Sequence, residues 1–154
     1  MDTTYPNVRL ERNMSKYKPH ENFPVISPFL NLQGIPEFVE FTEKVLGAKI
    51  TARTDDDNGV LMYATIEFGG SVIMAMEAED PAYVKPAAIY FYVEDVDEMY
   101  QNALDAGTVS LAEPELHYHG DRNAGVQDKW GNQWWFATSV DFPDNEEVAR
   151  RKKA

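Results

Sequence analysis

The stretch HYHGDRNAGVQDKWGNQWWFAT, residues 117–138, gathers the side chains of this chain best suited to chemistry. His117 and His119 are one residue apart, so in an extended segment both imidazoles point to one face and can offer nitrogens to a divalent metal. Such a site needs a third ligand, and the candidates are Asp121 and His20. A His-x-His pair is a weak signal on its own. A loop or strand edge with solvated histidines accounts for it, and His119 at a cleft mouth would be placed to touch a ligand. Asp121 can brace the turn after Gly120 by accepting backbone N–H bonds. Arg122 suits a bidentate bridge to a carboxylate such as Asp128 across a hairpin, or a grip on an anionic ligand. Trp130, Trp134 and Trp135 add a large aromatic surface to the same segment.

No second chemical constellation stands out. There is no phosphate-binding loop and no nucleophile elbow, and the serines lack an evident base. Glu77, Glu79 and Asp80 read as a solvated acidic run. With no cysteine, disulfides, thiolate catalysis and cysteine–zinc sites are excluded. Twenty-six acids against fourteen bases give a net charge of −12, which repels phosphate backbones and argues against a nucleic-acid partner. The same charge attracts cationic small ligands and keeps the chain soluble. No apolar run is long enough to cross a bilayer, and MDTTYPNVRLERNMSK has no signal-peptide core, so a cytoplasmic protein without a membrane partner is expected.

The elements that must position these residues come in two similar sets. Residues 1–24 are polar, carry Pro6 and Pro19, and read as an N-terminal arm. Residues 140–154 read as a C-terminal tail whose EEVARRKKA can form a short helix, acids first and bases last. Between them, a strand before Gln33-Gly34 leads to apolar residues at helical spacing, Ile35, Phe38, Val39, Val45 and Leu46, ended by Gly47. A second strand, Ala87 to Val93, leads to the N-cap Asp95 and the stripe Val96, Met99, Tyr100, Ala103 and Leu104, ended by Gly107. The two sets lie roughly sixty residues apart, the spacing of a duplicated module. Three strand-like runs follow each helix: Ala48–Arg53, Leu61–Phe68 and Ser71–Glu77, then Val109–Ala112, Gly125–Asp128 and Gln133–Ser139.

That doubled βαβββ order, with EFVEFTEKVLGAKI and YFYVEDVDEMYQNALDAG as its two helix-bearing phrases, resembles the vicinal oxygen chelate superfamily. This is the group of glyoxalases, bleomycin resistance proteins and dioxygenases. The phrases ISPFLNL, YFYVEDVD and GDRNAGVQDKWGNQWWFAT are similar to its PhnB-like branch. The resemblance implies an α+β domain over residues 25–139, built from modules 25–80 and 87–139 whose sheets curl around a cleft. It also implies a homodimer, since such modules often complete the cleft across chains. Metal-dependent members of the family place a ligand on the first and last strand of each half. Carried onto this chain, those positions fall on Ser27, Met74, Ala88 and Trp135, none of them a strong ligand for a hard metal. No metal and no cofactor are therefore expected.

Strand alternation then gives the lining of the cleft. If Trp135 faces it, so do Ser27, Phe29 and Asn31, Met74 and Met76, and Ala88, Tyr90 and Tyr92, while Trp134, Phe136 and Thr138 face the other way. With His119 and Arg122 at the mouth, this makes an aromatic and thioether surface carrying a few polar groups. Two functions compete. One is a metal-free small-molecule-binding protein of the bleomycin-resistance type. The alternative is a metal-dependent lyase, isomerase or dioxygenase using ligands outside the family positions.

Overall fold

The computed structural model describes residues 23, 24 and 26–153. Apart from Phe23 and Pro24, the arm expected over residues 1–24 lies outside them, as does His20. The first half runs β1 (Phe29–Leu32), α1 (Ile35–Lys44), β2 (Lys49–Asp55), β3 (Leu61–Phe68) and β4 (Ser71–Glu77). A 3₁₀ turn at Pro81–Tyr83 leads to β5 (Ala88–Tyr92), α2 (Val96–Asp105), β6 (Val109–Leu116), β7 (Asp121–Gln127), β8 (Gln133–Ser139) and α3 (Asn145–Arg151). Each half forms a four-stranded mixed sheet, in the orders β1-β4-β3-β2 and β5-β8-β7-β6. The first strand of each half lies parallel to the last, and hairpins make the remaining pairings antiparallel. The architecture is the expected α+β doubling of a βαβββ module.

Local chemistry explains most boundaries. Gly69 and Gly70, with φ of 53° and 94°, supply the paired left-handed residues of a tight hairpin between β3 and β4. The Asp95 side chain accepts from the backbone N–H of Asp97 and Glu98, both at 3.0 Å, and so starts α2. α1 has no local side-chain cap. The Glu77 carboxylate reaches its first turn from the end of β4, accepting from Gly34 N at 3.0 Å and Ile35 N at 2.9 Å. Glu77 is therefore a helix cap and not part of a solvated run, and Asp80 in turn caps the 3₁₀ turn through Ala82 N. β6 and β7 are longer than their sequence pattern suggests. β6 is an edge strand, where Pro114 and the solvated Glu113 and Glu115 are tolerated and hide the strand signal.

Both sheets turn one face to a single core. Leu30, Leu32, Ala64, Ile66, Ile73 and Ala75 from the first half meet Ala124, Val126, Trp134 and Phe136 from the second, with Phe38 of α1 and Tyr100 of α2 among them. The halves lock together through aromatic rings: Phe38 lies 5.1 Å edge-on to Trp130 and 6.5 Å from Trp134, and Phe68 lies 5.2 Å from Phe91. Trp130 Nε1 also donates to the Gln33 carbonyl at 2.9 Å. Among the described residues no strand pairing joins the two sheets. Because each sheet gives the same kind of face to this shared core, the opposite faces point away from it. One chain alone leaves the expected cleft unclosed.

Candidate ligand-binding site

Register places the predicted residues on these outward faces. On the first sheet Phe29, Met74 and Thr65 sit side by side across three strands, and Asn31, Met76 and Tyr63 form the next row. On the second, the rows are Ala88–Gln133–Gln127, Tyr90–Trp135–Gly125 and Tyr92–Ala137–Asn123. Alternation is as read from the sequence: Trp134 and Phe136 are buried in the core, and Trp135 lies on the other side. The outward faces are wet where they are apolar. Phe29 is 49% exposed, Met76 40%, Tyr90 49% and Tyr92 62%. A groove of about 580 Å³ runs over the first face, walled by Asn31, Thr54, Tyr63 and Met76. Ser27 Oγ, just before β1, and Asn31 Oδ1 are buried polar atoms with no hydrogen-bond partner among the described residues.

The second face has a shaped floor. The Trp135 indole lies against Gly125, where an added Cβ would fall 2.7 Å from its Cζ3. Its Nε1 donates to Gln133 Oε1 at 3.3 Å. Tyr90 and Tyr92 stand edge to face, with centroids 5.4 Å apart. The Tyr92 hydroxyl donates to Asp121 Oδ2 at 3.1 Å, and Ser139 Oγ donates to Asp121 Oδ1 at 2.8 Å. The hydrogen bond to the Asp121 carboxylate, reinforced by its charge, raises the Tyr92 phenol above its ordinary pKa and keeps the proton in place.

Around the mouth the assignments change. Residues 117–120 form the turn between β6 and β7, closed by Gly120 N to His117 O at 2.9 Å. The His117 and His119 rings stack, with centroids 5.5 Å apart. His119 Nδ1 accepts a long 3.4 Å bond from Asp121 N. The Asp121 side chain ties β7 to β5 and β8 through hydroxyl groups, while its backbone carbonyl braces the turn by accepting from His117 N at 2.8 Å. Arg122 pairs with Asp97 of α2, not Asp128, through two bonds of 2.7 Å. Its register partner is Thr138, on the helix side of the sheet, so it stands apart from the Tyr90–Trp135 face. Asp128 is 5% exposed and accepts from Trp130 N, Asn132 N, Asn132 Nδ2 and Trp134 Nε1, pinning the β7–β8 hairpin.

The metal positions carried over from the resemblance hold a hydroxyl, a thioether, a methyl group and an indole, at Ser27, Met74, Ala88 and Trp135. Among the described residues no three His, Asp or Glu side chains come close enough to share an ion. This donor set does not fit a hard divalent metal. Sequence reasoning passed over Thr65, Tyr63 and Gly125. Gly125 was legible in principle, since a glycine inside a strand opposite a tryptophan signals a close approach.

A model of the glyoxalase/bleomycin resistance protein/dioxygenase superfamily matches residues 27–136. The chain belongs to that superfamily. Uncharacterized proteins of Mycobacterium bovis and Mycobacterium tuberculosis are each 26% identical to this superfamily member over 136 residues, covering 81% of it and 90% and 80% of themselves. TioX from Micromonospora sp. ML1 shares its fold with a TM-score of 0.61 at 21% identity, covering 75% of this chain and 99% of that one. A glyoxalase/bleomycin resistance protein/dioxygenase family enzyme from Burkholderia phytofirmans gives 0.59 at 17%, covering 73% and 97%. At such identities the likeness is one of fold. No helix among the described residues is long and apolar enough to cross a membrane.

Proposed function

We propose that this chain is a binding protein for a small planar molecule, held without a resident metal between outward sheet faces that two copies bring together. The observation that carries this reading is the exposure of Phe29, Met76, Tyr90 and Tyr92 on those faces. Large apolar side chains grouped on one face of a sheet mark a surface that covers itself with something. Burying them yields about 25 cal/mol per Å² of apolar area, and flat rings add stacking to that. Ser27 Oγ and Asn31 Oδ1, without a hydrogen-bond partner among the described residues, support a ligand with polar groups on the first face.

Fluorescence titration of the full chain with the neutral planar probe N-phenyl-1-naphthylamine tests the reading. Saturable binding is expected, and Phe29→Ala and Tyr90→Ala should each weaken it by about tenfold, the ~1.4 kcal/mol of lost stacking and burial. Absence of binding, or variants indistinguishable from the parent, would overturn it. The protein after gentle purification should also carry far less than one metal ion per chain. A stoichiometric metal whose removal abolished probe binding would replace this reading with the metal-dependent one.

A further inference from the structure

We infer that the ligand of the second face carries a cationic nitrogen, with Asp121 as its counter-charge. The inference rests on the reading that the outward faces bind a planar molecule, and it names the chemical class on one of them. Trp135, laid flat on Gly125, forms the floor. Tyr90 is its register neighbour, and Tyr92 stands at an interplanar angle of 67° to Tyr90. Tyr92 belongs to the next row, and its hydroxyl links this surface to Asp121, which stands opposite Ser139 one row further on.

What sets Asp121 apart is the company it keeps. Its side chain is only 15% exposed, yet its donors are two neutral hydroxyls, Tyr92 and Ser139. The other carboxylates nearby have cations: Asp97 has Arg122, and Asp141 has Arg151. His119 Nδ1 lies 3.9 Å from Asp121 Oδ2, beyond hydrogen-bond reach, and accepts the long bond from Asp121 N. The Lys152 ammonium sits over the Tyr118 ring, 5.8 Å from its centroid. A largely buried negative charge joined to Tyr92, at the end of an aromatic surface that continues through Tyr90 to Trp135, makes a local field that favours a cation and rejects an anion. Arginine or ammonium groups of a protein would meet the same field. The flat floor favours instead a planar organic cation long enough to lay a ring on Trp135 and bring its nitrogen towards Asp121, about 13 Å along β7 by strand rise.

The test uses three planar fluorescent probes on the full chain: ethidium as the cation, N-phenyl-1-naphthylamine as the neutral compound and 1-anilinonaphthalene-8-sulfonate as the anion. Titrations run at about 0.15 M salt, where long-range attraction by the net charge is largely screened. Ethidium should bind at least about tenfold tighter than either other probe, a difference of ~1.4 kcal/mol. Asp121→Asn, which keeps one acceptor oxygen and replaces the other by an NH2 group that a hydroxyl oxygen can accept from, should bring the ratio of ethidium to neutral-probe affinity down to about one, and Asp121→Glu should restore the preference. Glu43→Gln removes the same charge from an exposed position on α1 and should leave the ratio within about twofold. Thermal melting of each variant confirms that it is folded. Equal effects of Asp121→Asn and Glu43→Gln, or binding blind to probe charge, would overturn the role of Asp121 while leaving planar-ligand binding intact. Failure of every probe to bind the parent protein would remove both readings.

Discussion

Gly125 and Trp135 act as one unit: the indole occupies the space where a side chain on β7 would stand. A Cβ there would come within 2.7 Å of the ring, and the three nearest atoms are all ring atoms of that one side chain. The ring can swing out, but it then leaves the floor. Gly125→Val should therefore destabilise by about 1–3 kcal/mol, the usual range for overpacking, without preventing folding. Near-UV circular dichroism should report a displaced tryptophan, and affinity for planar probes should fall by about tenfold. Unchanged probe binding would mean that Trp135 is not the floor of a site. At this scale the sequence was half legible. Which face Trp135 takes follows from strand alternation alone, because the pleat allows only two. That Glu77 caps a helix 43 positions earlier, or that Asp121 rather than its neighbour Arg122 joins the aromatic row, depends on the register between strands, which no local pattern encodes.

Elements were more legible than residues because their signals are local and repeated. α1 and α2 each show an apolar stripe closed by a glycine, and β3, β4 and β8 have the boundaries their patterns imply. β6 and β7 were read short: β6 is an edge strand whose far end answers to solvent, and β7 opens on the polar residues Asp121, Arg122 and Asn123. The ion pair between Arg122 of β7 and Asp97 of α2 is the kind of link that only the assembled fold reveals. Hydrogen bonds from Arg122 hold the Asp97 carboxyl below its usual pKa. A carboxylate whose folded pKa is depressed contributes stability above its unfolded value, about 3.9, and loses it as pH falls through the folded one. Arg122→Ala should thus lower the urea midpoint at pH 7 and make little difference well below pH 3, where both forms of the protein bind the proton. The pair is solvent-exposed, so the shift should be small and weaker in high salt. An equal loss at both pH values would show that Arg122 acts through the packing of its stem instead.

For the whole molecule, the decisive feature is that two similar sheets share one core and leave two apolar faces outward. The doubling was visible in the sequence as a repeat, whereas the relative placement of the halves was not. It is set by contacts such as Phe38 on Trp130 and Phe68 on Phe91, which join residues far apart in the chain. If two copies complete the cleft, the surfaces that meet are Phe29, Met74 and Met76 against Ala88, Tyr90 and Trp135, which carry no charge. Each copy nevertheless brings a net charge of −12. Association is then driven by apolar burial and opposed by long-range repulsion, and the two terms respond oppositely to salt. Screening at about 0.15 M shortens the reach of the repulsion to ~8 Å and leaves the apolar term nearly untouched. Sedimentation equilibrium at micromolar concentration should therefore find a dimer that tightens as salt rises from ~0.01 M, and Phe29→Asp should return it to monomer. A dimer held by salt bridges would loosen over the same range. A species that stays monomeric at every salt concentration would mean that each face binds its ligand alone.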